Sequence, residues 1–113
     1  MNLFEYYKNT FMSLIDYIDL NQETKNKISV EIPKQSLHGD ISFNAPLIIG
    51  SFIKKNPINL AEEIKNLILK YNDDFEKIEV AKPGFINLKF KKKTILNFLL
   101  KIDNNFGFLK DIN

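Results

Sequence analysis

Apolar residues recur at spacings of three and four positions in four separate segments of the chain. This is the period of an α-helix that buries one face. In the first segment the repeat includes Phe4, Tyr7 and Phe11, and in the second it follows Asn44, a candidate N-cap residue. We therefore predict four helices, over about residues 2–19, 44–53, 56–71 and 93–103.

Strict alternation of apolar and polar residues marks the other regular segments. In the stretch from Ile28 to Ile32, for example, every second residue is apolar, as expected for a half-buried strand. Pro83-Gly84 separates two such runs and predicts a hairpin with a two-residue turn. We predict four strands, over about residues 27–33, 39–43, 77–82 and 85–91.

The order of these elements is helix, two strands, two helices, two strands and a final helix. It predicts a single α+β domain with two layers, in which a four-stranded sheet is covered on one face by helices. The length of 113 residues suits one compact domain.

Composition and charge narrow the range of functions. The net charge is only +2, from 16 basic and 14 acidic residues, and every basic residue is lysine. Any nucleic-acid contact must therefore come from local clustering of lysines, which supply point charges to phosphate. Cysteine is absent and His38 is the single histidine, so no metal-ligand set is expected. We found no candidate membrane span or signal peptide, and we expect a cytoplasmic protein without a membrane partner.

His38-Gly39-Asp40 is the one constellation that resembles an active site. Catalysis is poorly supported, because the sequence shows no nucleophile–base pairing, phosphate-binding glycine loop or metal-ligand spacing. We interpret the three residues as a turn in which Gly39 adopts an unusual backbone angle and Asp40 hydrogen-bonds to nearby amides or to His38. No catalytic residue and no metal ligand is predicted.

The last predicted strand has two chemically different faces. One face is apolar and comprises Ile86, Leu88 and Phe90; the other comprises Phe85, Asn87, Lys89 and Lys91. A ring, an amide and two ammonium groups are what is needed to stack an unpaired base, read its edge and hold adjacent phosphates. For this use we expect Phe85 and Asn87 both to face solvent in the free domain. The alternative is that Phe85 folds under a loop while the lysines only solvate the sheet.

Three stretches of the chain together resemble a known family, the N-terminal additional domain of arginyl-tRNA synthetase. Their order and spacing also match, and the resemblance extends over about residues 2–105. The stretches are His38-Gly39-Asp40 leading to Asn44, Asn56-Pro57 followed by Ala61-Glu62-Glu63-Ile64, and Val80-Ala81-Lys82-Pro83-Gly84-Phe85-Ile86-Asn87.

The resemblance implies an α+β domain that precedes a class I catalytic domain and contacts the outer corner of the tRNA, at the D-loop. In this family an aromatic and an amide residue of the Pro-Gly-aromatic-x-Asn strand hold an exposed D-loop base, and these match Phe85 and Asn87. Some members carry an amide residue where this chain has Lys82, so we assign Lys82 to phosphate. Lys89 and Lys91 are assigned to phosphate as well.

Neither the His-x-Gly-His nor the Lys-Met-Ser-Lys signature of class I synthetases occurs in these residues. We therefore expect no cofactor here, with ATP used by the catalytic domain of the parent enzyme. The expected partners are tRNA(Arg) and that catalytic domain, and we expect a monomer. Residues 1–105 would form the tRNA-binding domain, and residues 106–113 would begin the linker.

Two alternatives stay open. The chain could be a freestanding, non-catalytic paralogue that binds RNA, or a protein-interaction module that docks through the hairpin face with Phe85 as its anchor. Salt dependence discriminates between RNA and protein partners, because lysine–phosphate contacts weaken steeply with salt and an apolar interface does not.

Overall fold

A computed structural model of the chain describes residues 2–106. These residues form ten elements. They are α1 (Leu3–Leu14), α2 (Gln22–Lys27), β1 (Val30–Glu31), a 3-10 turn (Ser36–His38), β2 (Ile41–Phe43), α3 (Ala45–Ile53), α4 (Pro57–Tyr71), β3 (Phe75–Ala81), β4 (Phe85–Phe90) and α5 (Lys92–Phe106). The predicted linker, residues 106–113, begins at the last residue of α5, and residues 107–113 lie outside the described residues.

The four strands form one antiparallel sheet in the order β1-β2-β4-β3. The predicted α+β class, the four-stranded sheet and the order of its helices and strands are confirmed. β4 lies between β2 and β3, so its residues have strand neighbours on both sides. Cross-strand pairs place Ser42 beside Asn87 and Glu79 on the other side of Asn87.

The core lies between the sheet and the helices. Phe43, Ile86 and Leu88 of the sheet are each 0% exposed. The Tyr7 ring of α1 packs on the sheet, with centroid distances of 5.3 Å to Phe75 and to Phe90. These contacts determine which face of each strand packs against the helices and which face points away from them.

Several element boundaries differ from the predictions. α2 was missed, because a six-residue helix is too short to show an apolar repeat; its Asn21 cap accepts a 2.8 Å bond from the Thr24 amide. α1 ends at Leu14 rather than near residue 19, and β1 has two residues instead of seven. The hairpin turn has three residues, 82–84, and includes a cis Lys82–Pro83 peptide bond.

The turn interpretation of His38-Gly39-Asp40 is confirmed. The Asp40 amide donates to the Leu88 carbonyl oxygen at 2.8 Å, and the Phe90 amide donates to Asp40 Oδ2 at 3.0 Å. Gly39 has a φ of 123°, and a Cβ there would lie 2.8 Å from the Leu88 carbonyl oxygen. Glycine is required because the turn passes directly over β4. The motif therefore ties the start of β2 to β4.

The other two motifs meet in space at the hairpin turn. The Leu47 amide of α3 donates to the Gly84 carbonyl oxygen at 2.9 Å. A Cβ on Gly84 would lie 2.7 Å from the Pro57 Cβ, so the turn can approach α4 this closely only with glycine. Asn56 caps α4 as predicted, accepting bonds from the Ile58 and Asn59 amides.

Asn44 occupies the N-cap position of α3, but its side chain does not cap that helix. Asn44 Oδ1 instead accepts a 2.7 Å bond from the Ser29 amide, and Asn44 Nδ2 donates to the Lys27 carbonyl oxygen at 3.1 Å. The side chain therefore joins the end of α2 to the sheet, a long-range role that a local capping rule does not reveal.

The buried Tyr7 hydroxyl predicts a loss of stability at alkaline pH. It donates a 2.8 Å bond to Asp74 Oδ2, and burial followed by this bond raises the pKa of Tyr7 well above its ordinary range. In the unfolded chain tyrosine ionises near pH 10. Above that pH the unfolded state loses a proton that the folded state keeps, so the free energy of unfolding falls as the pH rises.

Tyr7→Phe tests this linkage. At about pH 8 the variant should be less stable than wild type by about 1–2 kcal/mol, because Asp74 loses its donor. Above pH 10 the stability difference between wild type and variant should shrink by up to about 1.4 kcal/mol per pH unit. The wild type loses stability there because Tyr7 ionises in its unfolded state, whereas phenylalanine has no proton to lose. Urea denaturation of both proteins at pH 8 and pH 11 measures it, and an unchanged difference contradicts the assignment.

Candidate nucleic-acid interface

A groove of about 370 Å³ lies on the face of the sheet that is opposite the core. We call it the hairpin groove. Strand residues Ser42, Asn87 and Phe85 contribute one part of its lining. The segment between β1 and β2 contributes another part, including Ile32, Pro33, Lys34, Gln35 and His38. The groove therefore forms where the loop after β1 passes over the centre of the sheet.

Both residues of the predicted base-binding pair line the hairpin groove. Ile86 and Leu88 point into the core, so Phe85 and Asn87 lie on the outer face by strand alternation. Phe85 is half-buried, and Asn87 is only 8% exposed. The expectation that Asn87 is open to solvent is wrong, because the 3-10 turn lies close to β4 and Asn87 also lines a smaller cavity beneath it, with Leu37 and His38.

The Asn87 side chain lines both the hairpin groove and the smaller cavity. Within the described part of the chain, no side-chain hydrogen bond involves the Asn87 amide or the Ser42 hydroxyl. No fully enclosed side-chain nitrogen or oxygen in that part lacks a partner either. An amide that lines the groove offers an acceptor oxygen and an NH2 donor to a ligand there.

Carboxylates lie on the strands next to Ser42 and Asn87. The register places Glu31 next to Ser42 and Glu79 next to Asn87. Lys77 Nζ lies 2.6 Å from Glu79 Oε1, and this hydrogen bond lowers the pKa of Glu79. Glu79 therefore stays ionised at neutral pH. Because Lys77 pairs with Glu79, and Glu79 does not line the hairpin groove, Glu31 is the carboxylate whose charge disfavours a phosphate in the groove.

The predicted phosphate-binding lysines are not brought together. Lys82 is exposed and lines the hairpin groove. Lys89 lines the smaller neighbouring cavity, with its ammonium 3.6 Å from Glu76. Lys91 lines neither cavity and pairs with Asp73, and this bond lowers the pKa of the Asp73 carboxyl. Of the three, Lys82 has the position most suited to a ligand in the groove.

The opposite side of the groove was missed by sequence reasoning. Lys34 is exposed there and is a further candidate for phosphate contact. Pro33 and Ile32 supply apolar surface, and Ser42 lies beside Asn87 on the neighbouring strand. A loop residue has no periodicity, and the pairing of β2 with β4 joins segments about 45 positions apart, so only tertiary structure reveals these neighbours.

The described residues contain no group of three or more histidine, cysteine, aspartate or glutamate side chains that could hold a metal ion. Among the helices of residues 2–106, none has the length and apolar character needed to cross a membrane.

Comparisons with known proteins point to one family. Residues 6–90 match the family model described as the arginyl tRNA synthetase N terminal domain. The chain is similar to arginine–tRNA ligases from Pelagibacter ubique (34% identical, 93% of this chain and 19% of the relative), Brucella suis (36%, 80% and 16%) and Lawsonia intracellularis (36%, 72% and 15%). It spans less than a fifth of the length of these relatives.

Proposed function

Since the chain belongs to the family of arginyl-tRNA synthetase N-terminal domains, we propose that it is the tRNA-recognition domain of a longer arginine–tRNA ligase. The proposed substrate contact is the D-loop at the outer corner of tRNA(Arg). Attachment of arginine, and the use of ATP, belong to a catalytic domain elsewhere in that enzyme. No residue of this chain is assigned a catalytic role.

The observation that carries the proposal is the pairing of Phe85 with Asn87 in the hairpin groove. Residues two apart on a strand are about 7 Å apart, which lets a ring stack on a base while an amide reaches the edge of the same base. A volume of about 370 Å³ lies within the range of roughly 300–1,000 Å³ for small-ligand sites. An unpaired base that leaves its stack is a ligand of this kind.

The charged residues around the hairpin groove favour binding of a base inside it and of phosphates at its border. Glu31 lines the groove beside Ser42, and its negative charge disfavours a phosphate there. Lys34 and Lys82 are exposed and line the groove from different loops. Each can hold a phosphate adjacent to the bound base. Lys89 stays a proposed phosphate contact, and Lys91 a weaker one because Asp73 already neutralises it.

Lys82→Ala tests the phosphate assignment. In the full-length ligase we expect weaker binding of every tRNA(Arg) variant alike, with the slope of log K against log salt reduced by about 1. Lys91→Ala should change the slope less, since its ammonium already pairs with Asp73. Binding titrations over a range of salt concentrations measure this, with Lys70→Ala on α4 as a lysine control. A slope that Lys82→Ala leaves unchanged excludes the contact.

A protein-docking role for the hairpin face is favoured by one observation. Ile32 and Leu37 are 72% and 94% exposed beside the groove, and exposed aliphatic residues are common at protein interfaces. Partner binding through these side chains would be nearly insensitive to salt, in contrast to tRNA binding. The freestanding-paralogue alternative is tested separately, by the presence or absence of the His-x-Gly-His signature in the polypeptide that carries this domain.

A further inference from the structure

The last described helix, α5, packs on the domain through one side, as far as its described side chains extend. Thr94 is buried, and its Oγ1 donates a 2.8 Å bond to the Asp74 carbonyl oxygen. Phe98, one turn further on, packs edge-on against Tyr7 and Phe90 with centroid distances of 6.0 Å. Residues four apart lie on one helix face, so these two side chains define the face of α5 that meets the core.

A different face of α5 carries four exposed aliphatic side chains. Ile95, Leu96, Leu99 and Leu100 are 43%, 58%, 51% and 59% exposed. Spacings of one, four and five positions place all four on adjacent parts of the helix surface. We call these four residues the α5 patch. They lie away from the face of Thr94 and Phe98, so the domain itself does not bury them.

The α5 patch differs from Leu69, an exposed apolar residue of α4. Leu69 is 55% exposed, but residues 65, 66, 70 and 72 near it are polar or charged. Scattered exposed apolar residues are ordinary, whereas a contiguous group marks an interaction surface. Four clustered aliphatic side chains on one helix are therefore a surface that another apolar surface would cover.

The relatives indicate that a large part of a ligase lies beyond this helix. In the family this domain is the N-terminal one, and the chain accounts for 19% or less of the three relatives described above. Most of each ligase therefore lies on the C-terminal side of the domain. α5 is the last described element, so a C-terminal ligase body would follow the helix that carries the patch.

We propose that the α5 patch packs against the ligase body that is C-terminal to this domain in the same polypeptide. The proposal rests on the proposed function, namely that the chain is part of a longer ligase. Covalent connection makes the contact intramolecular, so a small apolar patch suffices. A stable dimer commonly uses about 20–30 residues on each side, many more than the four of the patch. Such packing would fix the orientation of the hairpin groove relative to the ligase body.

Thiol labelling tests this contact, because the chain contains no cysteine. Leu99→Cys and the control Leu69→Cys are made both in the 113-residue chain and in the full-length ligase. Each is labelled with N-ethylmaleimide in the absence of tRNA, and labelling of that peptide is followed by mass spectrometry. Leu99→Cys should react at least about tenfold more slowly in the ligase, because reaction then requires opening of the interface. Leu69→Cys should react equally fast in both proteins.

Equal labelling of Leu99→Cys in the two proteins would overturn the proposal. Labelling that slows as the concentration of the 113-residue chain rises would also overturn it, in favour of a second copy as the occupant. Circular dichroism checks folding, and Ile95→Cys replaces Leu99→Cys if that variant does not fold. The affinity of the same ligase for tRNA(Arg) reports on the proposed function independently, because the hairpin groove contains no residue of α5.

Discussion

Phe43→Ala should lower the free energy of unfolding by about 3–5 kcal/mol, the cost of removing a large aromatic side chain from a core. Phe43 is 0% exposed, and its ring lies 5.0 Å from the Phe11 ring between the sheet and α1. A small domain has a total stability of about 5–15 kcal/mol, so this loss is a large share of it. Urea denaturation of the 113-residue chain measures the change.

Ser42→Ala is the matched control, because Ser42 is the next residue of the same strand and lines the hairpin groove. Its substitution should change the stability by no more than about 0.5 kcal/mol. Similar losses for the two variants, or a larger loss for Ser42→Ala, would mean that β2 presents its other face to the core. The hairpin groove would then not exist as described.

Phe85→Ala should weaken binding of tRNA(Arg) to the full-length ligase by about 1–3 kcal/mol, or about 5–150-fold in the dissociation constant, the range for losing one base–aromatic stack. The Phe85 ring is half-buried and lines the hairpin groove beside Asn87, so its truncation removes the surface on which a base would stack. The dissociation constant is measured by titration at fixed salt, since phosphate contacts make it salt-dependent.

Phe52→Ala provides the control for this experiment. Phe52 is 43% exposed on α3 and does not line the groove, so its loss should leave tRNA affinity unchanged. Thermal unfolding of both variants verifies that the domain stays folded. Equal affinities of wild type and Phe85→Ala at equal folding would show that no base stacks on this ring.

The register of β4 could be predicted from the sequence because alternation has a period of two. Ile86 and Leu88 had to share a face, and burial of that face placed Phe85 and Asn87 on the other. The low exposure of Asn87 could not be predicted in this way. It depends on the turn after β1, which lies close to β4 through tertiary contacts that no local pattern encodes.

The glycines illustrate the same distinction between local and long-range information. Gly39 and Gly84 could be assigned to turns from sequence alone, since glycine accepts backbone angles that other residues avoid. The contacts of each turn could not be assigned. Gly84 lies against Pro57 and Leu47, so the hairpin and Asn56-Pro57 motifs form a single packed junction although about 27 positions separate them. The family resemblance identified these two motifs as separate stretches of the sequence. The structure shows that they are in contact, which explains why the hairpin turn has a small residue and α4 begins with a rigid one.

The acidic partners of two lysines could not be predicted from the charge pattern of the last strand. Lys89 and Lys91 alternate correctly with the core residues of β4, yet Glu76 and Asp73 lie beside them. Those acidic partners come from β3 and the loop before it, and the strand pairing is what brings them close. The exposed lysines that line the groove are instead Lys34 and Lys82, on two different loops.

A charging assay decides whether the hairpin groove reads one unpaired base of tRNA(Arg), as we propose. The ratio kcat/KM is measured for the full-length ligase on tRNA(Arg) carrying each of the four bases at the contacted D-loop position. Asn87→Ala should reduce the discrimination among the four bases, because an amide reads base edges. Phe85→Ala should lower kcat/KM for all four, because stacking tolerates any base. If both variants stay folded and leave the rate and the base preference unchanged, the groove does not bind the base and docking of a protein partner becomes the better interpretation.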